Sequence, residues 1–136
     1  MGSNNFVEVG GLKWILENAN VDDSFDGFYS FDKVSKTNTP TKEELERFIQ
    51  CCNYRFDKIK KVGVFTDKQS GNSIELPANG SHLGCDGTLY SAGKTGRYWT
   101  STKNGSRCAW YMYFNEKGIY LWYNFITERY NIRNVL

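Results

Sequence analysis

The chain is predicted to fold as a single α+β domain, antiparallel sheets with one or two helices packed against them. Three observations carry that expectation. Thr41-Lys42-Glu43-Glu44 is a capping box that opens a segment with apolar residues at helical spacing. Runs alternating apolar and polar residues at a period of two recur near both ends of the chain. Between them stand Gly-Gly, Ser-Gly-Asn and Asn-Gly, the residues of tight antiparallel connections. At 136 residues the chain has the length of one domain, 1–136, that buries one core without metal or disulfide.

Taken in order, Phe6-Val7-Glu8-Val9 alternates, Gly10-Gly11 turns the chain, and residues 12–16 resume as the second arm of a hairpin with Trp14 as a core anchor. Residues 21–36 mix Asp22, Asp23, Asp26 and Asp32 with Phe25, Phe28, Tyr29 and Phe31, an irregular connection with one helical turn across Phe25, Phe28 and Tyr29. The aspartates lack the order and closing Glu of a calcium loop and are read as solvated. In the helix after Thr41, Leu45, Phe48, Ile49 and Cys52 form the buried stripe, while Glu43 and Glu44 sit at the positively polarised start. Residues 61–66 and 73–77 read as a second hairpin around Ser70-Gly71-Asn72, closed by Pro77. Residues 78–96 form a long Gly/Ser/Asn-rich loop of the kind that is usually functional or mobile, with His82 as a plain loop residue. Asn79-Gly80-Ser81 and Asn104-Gly105-Ser106 match the glycosylation sequon but also carry the Asn-Gly turn signal, and the turn is favoured.

The final third holds half of the aromatics. Residues 98–100, 108–114, 118–125 and 130–135 are strand candidates, read as one antiparallel meander. Alternation puts Met112, Phe114, Ile119, Leu121, Tyr130 and Ile132 in one phase, and Tyr111, Tyr113, Asn115, Tyr120, Trp122 and Asn124 in the other. The first phase is aliphatic enough for the core, so the second is read as a displayed surface. Tyr and Trp suit that role because they supply stiff contact area. The competing reading has the second phase packed against another part of the same domain.

Composition excludes several classes. A net charge of +2 with both signs interspersed, and no basic run, argues against nucleic acid as a partner. No apolar run approaches the ~20 residues a bilayer requires, so membrane insertion is not expected, and as written the chain carries no targeting signal. Cys51 and Cys52 are adjacent on the helix, and with Cys85 and Cys108 they form neither a disulfide framework nor a zinc spacing. One histidine in a loop, no Ser-His-Asp order and no isolated carboxylate pair argue against an enzyme; no cofactor and no metal are expected.

A family resemblance rests on residues 5–14, 39–46, 71–78, 96–102, 109–114 and 132–136, which include Gly10-Gly11-Leu12-Lys13-Trp14, Gly96-Arg97-Tyr98-Trp99-Thr100-Ser101-Thr102 and Ile132-Arg133-Asn134-Val135-Leu136. In that order they resemble the Fibrobacter succinogenes major paralogous domain of gut Bacteroidetes and their phages. The resemblance implies a C-type lectin-like fold with both termini in one sheet, helices packed on it and a loop-rich second sheet presenting the ligand site. Some such proteins resemble the variable proteins of diversity-generating retroelements, whose adenine-bearing codons are rewritten, and Asn and Tyr codons carry adenine. Residues 22–36 lack the family's Trp-Gly loop. The Glu-Pro-Asn, Gln-Pro-Asp and Trp-Asn-Asp signatures of calcium-dependent sugar binding are absent too, so the binding expected is calcium-independent. The expectation is a non-catalytic binding module on a cell surface or phage particle, recognising a cell-surface protein or glycan. Its expected ligand-binding residues are Trp110, Tyr111, Tyr113, Asn115, Tyr120, Trp122, Tyr123 and Asn124. The alternative is an assembly subunit of a phage fibre or surface appendage that buries the same face between copies, with the oligomeric state open.

Overall fold

The computed structural model describes residues 5–22, 27–82 and 89–136. The fold is built mainly from antiparallel sheets with little helix, and among the described residues no helix is long and apolar enough to cross a membrane. Strands β1 (Phe6–Val9) and β2 (Leu12–Asn18) form the first hairpin, with Phe6 opposite Ile15 and Val9 opposite Leu12. Gly10 turns it at φ +61°, and a Cβ there would stand 2.6 Å from the Phe48 ring, so both backbone and space require glycine. Trp14 is buried and its indole N–H donates to the Val9 carbonyl at 3.3 Å.

A 3-10 helix at Phe31–Lys36 replaces the helical turn expected over Phe28 and Tyr29; Phe25 lies outside the described residues. Tyr29 is instead extended, exchanging backbone hydrogen bonds with Tyr130 at 2.9 and 3.0 Å. Asp22, one of the expected solvated aspartates, pairs at the surface with Lys33 and Lys36.

Helix α1 (Lys42–Cys51) begins at the capping box: Thr41 Oγ1 accepts from the Glu44 amide at 3.1 Å and Glu44 Oε1 from the Thr41 amide at 2.8 Å. Leu45 and Phe48 are buried on its inner stripe. Cys52, expected as the last helical member of that stripe, is its C-cap and the first residue of β3 (Cys52–Asp57). That strand pairs with β4 (Val62–Asp67), which pairs with β5 (Ser73–Pro77), so the expected second hairpin gains a third strand. Short strands β6 (Ser81–His82) and β7 (Leu89–Tyr90) pair inside the long loop.

The third sheet is the aromatic meander, β8 (Gly96–Asn104), β9 (Cys108–Asn115) and β10 (Gly118–Phe125), with its first turn at Asn104-Gly105-Ser106 as expected. The fourth strand expected there goes elsewhere. β11 (Arg133–Val135) pairs with β2, giving the order β1-β2-β11. The segment reaches it through bridges from Tyr130 to Tyr29 and from Asn131 to Tyr98. Arg133 then fixes β11 on β2, donating from Nε to Asn18 Oδ1 at 2.8 Å and from Nη1 to the Ile15 carbonyl at 3.0 Å. Burial lowers the affinity of this guanidinium for its proton.

Apolar packing occurs on both faces of the β8-β9-β10 sheet. On one face Tyr98, Met112 and Phe114 meet Trp14, Leu45, Phe48 and Phe65 in the main core, with Ile119 and Leu121 half-buried at its margin. The tip of the Phe114 ring packs against Gly96, where a Cβ would come within 2.1 Å of Cζ. On the other face Trp99, Ala109 and Tyr111 meet Tyr29, Val34, Tyr130 and Ile132 in a second core.

Candidate functional site

Side chains directly opposite one another across paired strands share a face of the sheet, so the register of β8, β9 and β10 arranges the aromatics in rows. One row is Arg97, Tyr113 and Tyr120; the next is Trp99, Tyr111 and Trp122. Each row runs from packed to open. In the first, the Arg97 guanidinium lies 4.9 Å from the Tyr113 ring centre, and Tyr113 stacks on Tyr120 at 6.0 Å. In the second, Trp99 contacts Tyr130 at 4.5 Å and Tyr111 contacts Tyr130 at 4.6 Å, while Trp122 at the end of the row is 62 % exposed. Tyr120 is 49 % exposed and Tyr113 half-buried.

Tyr111 is therefore not a displayed residue. It shares a face with Tyr120 and Trp122 as the period predicts, but it is only 7 % exposed, because the 3-10 helix and the Tyr130 segment cover the inner part of that face. Packing within the domain, the competing reading of the aromatic phase, holds at Tyr111. Burial pushes the Tyr111 phenol up, against a smaller opposing effect of the Arg97 charge, so it stays neutral at physiological pH.

The two asparagines also have internal work. Asn115 is half-buried; its Nδ2 donates to the Tyr113 hydroxyl at 3.1 Å and its Oδ1 accepts from the Lys117 and Gly118 amides at 2.8 and 3.1 Å. Asn124 Nδ2 donates to the Tyr130 hydroxyl at 2.9 Å. Each holds an aromatic tip, and Asn115 also holds the β9-β10 turn.

Trp110 and Tyr123 sit on the opposite face, in register with each other and 5.2 Å apart. The Lys42 ammonium lies 4.6 Å from the Trp110 ring centre. Tyr123 is partly exposed, and Phe125, two residues on, is 58 % exposed. Apart from Asn124, the second half of β10 is exposed on both faces, and Tyr123 touches Trp122 around the strand at 5.6 Å. Among the described residues β10 has no strand on its outer side.

The site as built thus has an exposed part, Tyr120, Trp122, Tyr123 and Phe125, and a supporting part, Tyr113, Asn115, Trp110, Asn124 and Arg97. Sequence reasoning missed Arg97 and Phe125. Carrying the period of two into β8 finds Arg97, two residues before Trp99, while Phe125 shares its phase with Tyr123. Chemically the arrangement offers aromatic faces, phenols and a guanidinium. Among the described residues no three His, Cys, Asp or Glu side chains converge as a metal site would require.

These features define an antiparallel β-rich domain whose last meander strand carries an open aromatic edge. The chain belongs to the family described as a domain of unknown function (DUF8237), whose model matches residues 53–135. That stretch contains every residue of the aromatic edge. No curated protein and no solved structure matches the chain.

Proposed function

We propose that this is a non-catalytic binding module of C-type lectin-like architecture that recognises a cell-surface protein or glycan through the β10 edge. The observation that carries the reading is the concentration of Tyr120, Trp122, Tyr123 and Phe125, all exposed, on a single edge strand whose neighbour β9 is packed on both faces. A contiguous exposed patch of large aromatics is the usual mark of an interaction surface. The sharing of one sheet by β1, β2 and β11 supports the lectin-like architecture. Tyr120 and Tyr123 combine exposure with adenine-bearing codons, as a retroelement-diversified surface would; sequence variation confined to such codons among clonal isolates of the locus tests that history.

The binding test compares the wild type with Tyr120→Ala and Trp122→Ala on glycan arrays and on intact bacterial cells. An aromatic hot spot contributes about 2 kcal/mol, so each variant should lose roughly thirtyfold in affinity. Retained affinity in both would overturn the reading. One observation favours assembly instead: β10 has a free outer edge among the described residues, and such edges pair with other strands. A stable oligomer in solution that dissociates on Trp122→Ala would assign the edge to copies of this chain.

A further inference from the structure

Beyond Tyr113 and Asn115, where loop 91–95 and the end of β3 approach turn 115–117, lies a cleft of about 490 Å³. Its walls carry Lys58, Lys94 and Lys117 against one carboxylate, Glu116. Glu116 is held by Lys58 at 3.0 Å and also feels the Lys117 charge, so three ammonium groups share one carboxylate and Lys94 makes no ion pair among the described residues. The same wall contains Thr95, a buried residue whose Oγ1 has no hydrogen-bond partner among the described residues. A buried hydroxyl without a partner is uncommon in folded proteins, and this one is sealed from solvent behind the cleft wall, so it adds polarity to the wall without being a ligand contact. Phe56 contributes an aromatic ring to the lining.

The cationic segments are held before any ligand arrives. Lys94 and Thr95 donate their amides to the Ser91 carbonyl at 3.0 and 3.1 Å, and the Gly93 amide donates to the Ala78 carbonyl at 2.7 Å. Asn115 Oδ1 fixes the turn that carries Lys117. Such preorganisation lowers the ordering cost of binding. The volume falls in the range of sites for small organic molecules and exceeds what a bare inorganic anion would fill. An excess of ammonium groups over the single carboxylate, hydroxyl and amide lining and one aromatic ring together match a sugar ring that carries a negative charge.

We propose that this cleft binds an anionic saccharide, a sugar bearing a carboxylate or a sulfate. Asn115 links the cleft to Tyr113, and Tyr113 to Tyr120, so a longer acidic glycan would run from the cleft along the first aromatic row. The assignment stands apart from recognition at the β10 edge, and the two fail separately.

The test is an amide NMR titration of the full chain with methyl β-glucuronide, glucose 6-sulfate, uncharged methyl β-glucoside and an acidic tetrapeptide. Both charged sugars should give saturable shifts at Lys94, Thr95 and Lys117, with affinity at least tenfold above that of the neutral glycoside; which charged sugar binds tighter identifies the anion. Lys94→Glu combined with Lys117→Glu should abolish the shifts, Lys94→Gln should weaken them severalfold, and Trp122→Ala should leave them unchanged. Both lysines are exposed, so unchanged amide dispersion verifies that the variants fold. The proposal is overturned by an absence of saturable shifts in the cleft, by equal response to the neutral glycoside, by indifference to the charge reversal, or by tighter binding of the acidic peptide.

Discussion

Trp122 and Tyr111 stand opposite each other across β9 and β10 on one face of the sheet, yet one is open and the other buried. The pair shows what a period of two contains: it assigns a side chain to a face, not to an environment. What covers each stretch of that face is decided by segments distant in sequence, here Tyr29, Val34 and Tyr130. The adjacent cysteines show the same separation. Cys51 is exposed at the end of α1, while burial pushes the Cys52 thiol up to about 11 with a further contribution from Asp67. Because the thiolate is the reactive form, iodoacetamide at pH 7.5 should label Cys51 and spare Cys52, as peptide mass mapping will read; equal labelling would contradict the burial of Cys52. Gly96 offers a packing test. Its missing Cβ is the space the Phe114 ring occupies, so Gly96→Ala should cost about 1 to 3 kcal/mol in denaturant unfolding, the usual penalty for overpacking a core; an unchanged midpoint would mean that the ring has room to move.

At the scale of elements, local signals were legible and long-range pairings were not. The Gly10-Gly11 hairpin, the Thr41 capping box, the β4-β5 hairpin and three strands of the meander each announce themselves within a few residues. β3 was missed because it follows α1 with no Gly, Pro or linker between them, so Cys52 ends one pattern and begins the next. The residues of β11 read locally as a further strand of the meander, whereas the partner β2 lies more than a hundred residues away. Phe125 escaped because nothing local distinguishes the covered half of β10 from the open half.

One tie between elements makes a pH prediction. Asp67, at the end of β4, accepts from the Gly10 amide at 2.9 Å and from the Gln69 and Ser70 amides at 2.8 and 3.2 Å. These bonds, Gly10's first, hold its pKa below the ordinary 3.8. In the window between the folded and unfolded values the unfolded chain binds the extra proton, so the stabilisation is present above that window and is lost as pH falls through the folded value. Asp67→Asn should therefore lower the melting temperature at pH 7, and the gap to wild type should narrow below pH 3.8. A gap that persists undiminished at pH 2 would show that the carboxylate charge is not what joins the two turns.

Over the whole molecule, the β8-β9-β10 sheet is the common wall of two cores, and the cores end before the outer strand does. The account rests on that division: the inner aromatics are needed to fold, and the outer ones are left free to bind. The most direct measurement is the unfolding free energy in guanidinium chloride of Trp122→Ala beside Phe114→Ala and Tyr111→Ala. Exposed substitutions typically shift stability by about 0.5 kcal/mol, whereas truncating a buried aromatic costs roughly 3 to 5 kcal/mol. Trp122→Ala should stay within the first range while Phe114→Ala and Tyr111→Ala fall in the second. If Trp122→Ala destabilises the domain as far as Phe114→Ala does, the β10 edge is structural and its reading as a recognition surface is wrong.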